Sequence, residues 1–192
     1  MPFTPYHFGP SGFFGLVFRK WLDVPVFVLA NVIVDLEVLV IMTFELGRPM
    51  HRYFHTLLIG AVVGALWAVA AYPLRHKFKK IMRLLHIPYR TSLGKMIISG
   101  VLGVWLHVLI DGVYHHDVRV FWPNKTISLW RKMLSRIGKE QVQTICVAFF
   151  VAAAVPYAIA VVSFIRAKRD KAQANVNKSG DKQKEQHKCH QH

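Results

Sequence analysis

The chain has 192 residues, 53% of them apolar, a mean hydropathy of +0.30 and a formal charge of +15 from 25 Lys+Arg against 10 Asp+Glu. That hydropathy is above the soluble norm and points to the membrane, and the apolar content outweighs net charge as a signal of disorder everywhere except near the C-terminus. Two cysteines, Cys146 and Cys189, exclude a disulfide framework and a Cys-rich zinc site, and the basic residues bracket apolar runs as membrane flanks, so nucleic acid is not an expected partner.

In chain order, Gly12 to Leu22 is too short to cross a bilayer and carries Arg19 and Lys20 near its end, which suits a helix lying in the interface or dipping partway in. Residues 24–44 are an almost continuous apolar run, long enough as a helix at about 1.5 Å per residue to cover the hydrocarbon core. Residues 57–74 form a second run without charge, and Gly60 and Gly64 are spaced to let another helix approach closely. Residues 96–113 and 144–165 supply two more, the last with Pro156 as an expected kink. The expectation is an all-α, polytopic helical membrane protein of about four transmembrane helices plus an N-terminal interfacial helix. It divides into an N-terminal segment (1–23), a four-helix membrane domain (24–166) and a basic, disordered tail (167–192) that lacks apolar periodicity.

No basic region followed by an apolar core and a cleavage site opens the sequence, so the first span is expected to be retained. With four spans, the N-terminal segment, the 75–95 loop and the residues after the last apolar run (166–192) share one side and carry 17 Lys+Arg, against 8 in the other two loops. The positive-inside rule then expects a multi-pass protein of the inner, cytoplasmic membrane with both termini in the cytoplasm.

Ionisable groups at membrane depth are costly and call for a reason. His107 and Asp111 are four apart, on one helix face, a spacing that can chelate one ion. Asn31 and Asp35 share the same spacing, while Glu37 stands about 200° round the helix from Asp35. Pro49 fits the first position of the second span's helix, which would put His51 and His55 on one face. Each pair alone reads as helix glue or a hydrogen-bonded packing residue. Jointly they favour one polyvalent site, in the half of the bundle where the first and third spans end. The charge bias puts His7 on the opposite side, so it reaches that site only if its segment re-enters or the topology is inverted.

The opening Met1-Pro-Phe-Thr-Pro-Tyr-His7-Phe-Gly-Pro10, Asn31-x-x-x-Asp35-x-Glu37, His51-x-x-x-His55-Thr56 and His107-x-x-x-Asp111 followed by Phe121-Trp122-Pro123 together resemble the membrane-bound metal-dependent hydrolase family, inner-membrane proteins some of which are described as LexA-binding. The resemblance runs from residue 1 to about 123. It implies an all-helical membrane protein with a divalent-metal hydrolytic site carried by His7, Asp35, Glu37, His51, His55, His107 and Asp111. Where many members carry Asp-x-Asp followed by His, this chain has Asp35-Leu-Glu37-Val38, and it spaces His51 and His55 by four instead of five.

The leading expectation is a hydrolase in which His107, Asp111, His55 and Asp35 hold one or two divalent ions and an activated water attacks an ester or phosphoester, with Glu37 as general base. Mixed nitrogen and carboxylate donors suit zinc, manganese or iron, with zinc first by abundance. The expected partners are the lipid bilayer and a small-molecule or lipid ester substrate. The alternatives are a small ion or proton-coupled carrier, since intramembrane Asp and His also mark ion pathways, and a membrane scaffold whose basic loop and tail bind anionic lipid or a cytosolic partner while these residues only join helices.

Overall fold

The computed structural model describes residues 5–47, 53–115, 118–123 and 138–189. Among them the chain is helical without strands: a tight turn of helix at Pro5–His7, then α1 (Phe8–Val17), α2 (Val24–Thr43), α3 (Leu57–Ala71), a second tight turn at Tyr72–Leu74, α4 (Arg75–Leu84), α5 (Leu93–Tyr114), α6 (Lys139–Ala152) and α7 (Ala154–Cys189). Four stretches are long and apolar enough to cross a membrane, Val24–Thr43, Leu57–Leu84, Leu93–Val113 and Glu140–Asp170, in agreement with the four expected spans.

Local chemistry starts these helices where they start. Asp23 caps α2, its carboxylate accepting from the Val26 N–H at 3.2 Å, with Pro25 in the first turn where a missing N–H costs nothing. Thr56 caps α3 through Ile59 N–H at 3.2 Å, and Ser92 caps α5 through Lys95 N–H at 3.3 Å. Because Thr56 is the cap, α3 begins at Leu57 and His55 precedes the helix. The expected start at Pro49, and with it a shared helix face for His51 and His55, is therefore replaced by a loop position for His55. Pro49 and His51 themselves lie outside the described residues.

α5 is the central helix. Its small residues admit both neighbours: a Cβ on Gly103 would meet Phe27 O at 2.4 Å, and one on Gly64 would meet Gly100 O at 2.5 Å, so these backbones touch. The Gly64 contact realises the close approach expected from the Gly60/Gly64 pair. α2 runs parallel to α5, with Asp23 level with Ser99 and Asp35 level with His107, and α3 runs antiparallel to it. Ala30, Val34, Val104 and Val108 form the core between them, closed by Val118 and Val120 of the following loop, whose Val120 carbonyl accepts the Leu57 N–H at 2.9 Å.

The N-terminal helix, expected to lie in the interface or dip partway in, packs along the bundle. His7, Gly9, Pro10, Ser11, Gly15 and Leu16 are buried, and a Cβ on Gly9 would collide with Cys146 O of α6 at 2.1 Å. It starts beside Asp111, near the C-terminal end of α5, and finishes beside Val24 and Phe27 at the start of α2, so it is a half-length helix paired with α2. α6 and α7 run alongside it toward the α4 end, where Tyr157 O–H donates to Leu85 O at 3.2 Å and Phe164 meets His86. Residues 5–7 and the end of the last span thus sit at opposite ends of the bundle, whereas the charge pattern places their segments on one side. A break at Ala153, before Pro156, separates α6 from α7 within the fourth span. α7 then runs on to Cys189, so the backbone of the polar segment expected to be a disordered tail is helical that far, in keeping with its many Lys, Gln, Glu and Ala residues, all good helix formers.

Candidate metal centre

Three elements bring four donor side chains to one point. α2 supplies Asp35, α5 supplies His107 and Asp111 one turn apart, and the loop ahead of α3 supplies His55; one donor atom from each lies within 4.8 Å of all the others, and all four residues are buried. His107 Nε2 stands 3.1 Å from Asp111 Oδ2 and 3.3 Å from Asp35 Oδ1, and His55 Nε2 stands 3.6 Å and 3.9 Å from the same two oxygens.

These separations can be tested against an ion. Tetrahedral ligands about 2.1 Å from a metal are roughly 3.4 Å apart, which the observed pairs bracket. Orientation points the same way: both ring nitrogens of His107 are buried, and its Nε2 faces an oxygen of two carboxylates at once. Several donor atoms converging on one point fit a shared cation. Two carboxylates this near each other and this far from water also need positive charge between them. Two nitrogens and two oxygens form a borderline set, suited to zinc, manganese or iron.

A second layer holds the first. Glu37, two residues after Asp35 on α2, reaches the same His55 ring from its other nitrogen and is not among the four donors. Its Oε1 accepts from the N–H groups of Tyr53 at 2.8 Å and Phe54 at 3.2 Å, and its Oε2 lies 3.0 Å from His55 Nδ1. That contact puts a proton on Nδ1 and leaves Nε2 as the ligating atom. Burial disfavours a charge on His55, but Asp35 and Glu37 outweigh it and raise the imidazole pKa above its ordinary value. His7 braces the other side: its Nε2 is 3.0 Å from Asp111 Oδ1, the oxygen turned away from His55 and His107, and its ring stacks on His107 at 4.4 Å.

Of the expected site residues, then, Asp35, His55, His107 and Asp111 are brought together, and His7 and Glu37 support them. His51 lies outside the described residues. Asn31, one turn before Asp35, donates instead to Val28 O at 2.8 Å. The main-chain N–H groups of Tyr53 and Phe54, which anchor Glu37, have no signature in the sequence, since any residue there would offer the same donor. No family model, curated protein or solved structure matches this chain.

Proposed function

We propose that this protein is a membrane-embedded, metal-dependent hydrolase acting on an ester or phosphoester. The observation that carries the reading is the convergence of Asp35, His55, His107 and Asp111 on one buried point, with His107 Nε2 facing an oxygen of both carboxylates. The resemblance of its motifs to the membrane-bound metal-dependent hydrolases supports the same reaction class.

The four residues would hold a divalent ion, which would supply Lewis-acid chemistry for hydrolysis at this buried point. Glu37 acts as a positioning residue: its oxygens face the Tyr53 and Phe54 amides and His55, so orientation of that imidazole replaces the general-base role expected for it. His7 positions Asp111 by occupying Oδ1 and leaving Oδ2 for the centre. The centre lies in the half of the bundle where α2 and α5 end, Asp35 and His107 about two turns inside those ends, and a lipid ester or phosphoester is the substrate class of choice. The dense basic charge around α4 sets that end toward the cytoplasm and the metal centre toward the other face of the inner membrane.

The test is elemental mass spectrometry on the full chain beside a His107→Gln, Asp111→Asn double variant, with hydrolysis of a phosphoester panel measured on both. The tail His and Cys residues are common to the two proteins and cancel. Loss of about one equivalent of zinc, manganese or iron in the variant, together with loss of hydrolysis, is expected for a single four-ligand site. Equal metal content in both, or none after reconstitution without chelators, would sink the proposal.

A further inference from the structure

The end of the bundle opposite the metal centre carries a surface that the hydrolytic reading does not use. α4 follows an apolar stretch, residues 57–74, which at about 1.5 Å per residue uses up most of a hydrocarbon core. The helix therefore begins where the headgroups begin. Its Phe78 and Met82 turn back onto the bundle, Phe78 against Val26, Ala68 and Met96, Met82 against Leu16, Ile87 and Ala160.

That anchoring fixes which faces look outward. Lys77, Lys79, Lys80 and Arg83 are exposed, and beside them Ile81 and Leu84 are 52% and 77% exposed. Lys20 and Trp21, 68% exposed, lie in the α1–α2 turn at the same end. The chain from Leu46 to Ile110, which includes α4 and its flanks, contains no acidic residue. The one acid at this end of α2, Asp23, is buried and its carboxylate is taken by Tyr89, Thr91 and the Val26 N–H. Cationic heads above exposed apolar side chains, at the level of the bilayer surface, are what an anionic leaflet attracts.

We infer that α4 is a docking surface for anionic phospholipid headgroups, with Lys77, Lys79, Lys80 and Arg83 engaging the phosphates and Ile81 and Leu84 entering the acyl boundary. This stands independently of the metal centre.

The full chain is reconstituted into nanodiscs of phosphatidylcholine containing a minority of phosphatidylglycerol, and the lipids that stay bound are counted by native mass spectrometry. Wild type retains phosphatidylglycerol in preference, by roughly fivefold for each engaged basic residue at low salt, and high salt erodes the preference. A Lys77→Gln, Lys79→Gln, Lys80→Gln, Arg83→Gln variant falls close to parity while keeping the wild-type circular dichroism spectrum. A Lys77→Arg, Lys79→Arg, Lys80→Arg variant keeps both charge and preference, which separates lost binding from lost folding. Equal retention of the two lipids by wild type would overturn the inference, as would a preference that survives the glutamine variant. Overturning it too would be the absence of lipid preference with lysine-dependent capture of soluble heparin in pure phosphatidylcholine discs, which would assign the surface to a macromolecular polyanion.

Discussion

The two ends of the bundle each bury aspartate on α2, and they treat it in opposite ways. At the α4 end, Asp23 is fully satisfied: Tyr89 O–H donates at 2.7 Å, the Thr91 hydroxyl and the Val26 N–H also donate, and the Asp23 N–H reaches Ser99 Oγ at 2.6 Å. Ser99 Oγ passes its own proton to Lys95 O at 2.7 Å, and Lys95 Nζ donates to Arg19 O and Arg90 O. Donors meet acceptors throughout, and the cluster ties the α1–α2 turn, the α4–α5 loop and the start of α5 together. At the other end Asp35 and Asp111 both face the Nε2 atoms of His55 and His107. A buried carboxylate among hydroxyls and amides is a structural joint, whereas one among converging lone pairs is a place for a cation.

The sharpest way to break this comparison is to remove one carboxylate from each end and follow both stability and metal. Asp23→Ala strips the cap from α2 and leaves Tyr89 and Thr91 facing an empty acceptor; it is expected to cost about 2–4 kcal/mol in detergent unfolding, with metal content unchanged. Asp111→Asn is expected to abolish metal retention and, with it, the drop in melting temperature that a chelator produces in wild type. If Asp23→Ala released metal, or if Asp111→Asn left the chelator response intact, the assignment of one end to structure and the other to metal would be wrong.

A smaller effect is expected at Glu37, which touches the centre only through His55. Glu37→Gln keeps an acceptor for the Tyr53 and Phe54 amides but loses the charge behind Nδ1, so metal affinity should weaken by about 10–100-fold while the stoichiometry at saturating metal stays that of wild type. Titration of the apoprotein with zinc under a competing chelator measures both. A loss of stoichiometry instead would promote Glu37 from positioning residue to ligand.

Much of this arrangement was legible in residue spacing. The apolar runs located the spans, and His107-x-x-x-Asp111 predicted one helix face because four residues make about one helical turn. The 200° offset between Asp35 and Glu37 predicted that they would face apart, whereas α2 is unbroken and both reach the two nitrogens of the one His55 ring. What spacing could not show was tertiary. The place of His55 depended on Thr56 winning the cap over Pro49, a choice between two sound start signals. The re-entry of His7 depended on Gly9 and Gly15 fitting against α6 and α2, which a short apolar segment does not reveal. The Asp23 cluster was invisible because Tyr89 and Thr91 lie more than sixty residues away in the chain.

The finest test of the comparison lies in Tyr89. Burial, and after it the proton shared with Asp23, raises the Tyr89 pKa well above its ordinary value of 10.0. Since the folded value is the higher one, the stability this phenol contributes is present in full below the unfolded value and is lost as pH rises through the folded one. Tyr89→Phe should cost about 1 kcal/mol at neutral pH, less than Asp23→Ala because Thr91 and Val26 still satisfy the carboxylate. Phenolate absorbance gives the direct reading. The wild-type titration near pH 10 should be unchanged by Tyr89→Phe, because Tyr89 is not among the groups that ionise there. A step at that pH removed by the substitution would mean that Asp23 is not closed off by its donors, and the contrast between a hydroxyl-bound carboxylate at one end and imidazole-facing ones at the other would lose its first half.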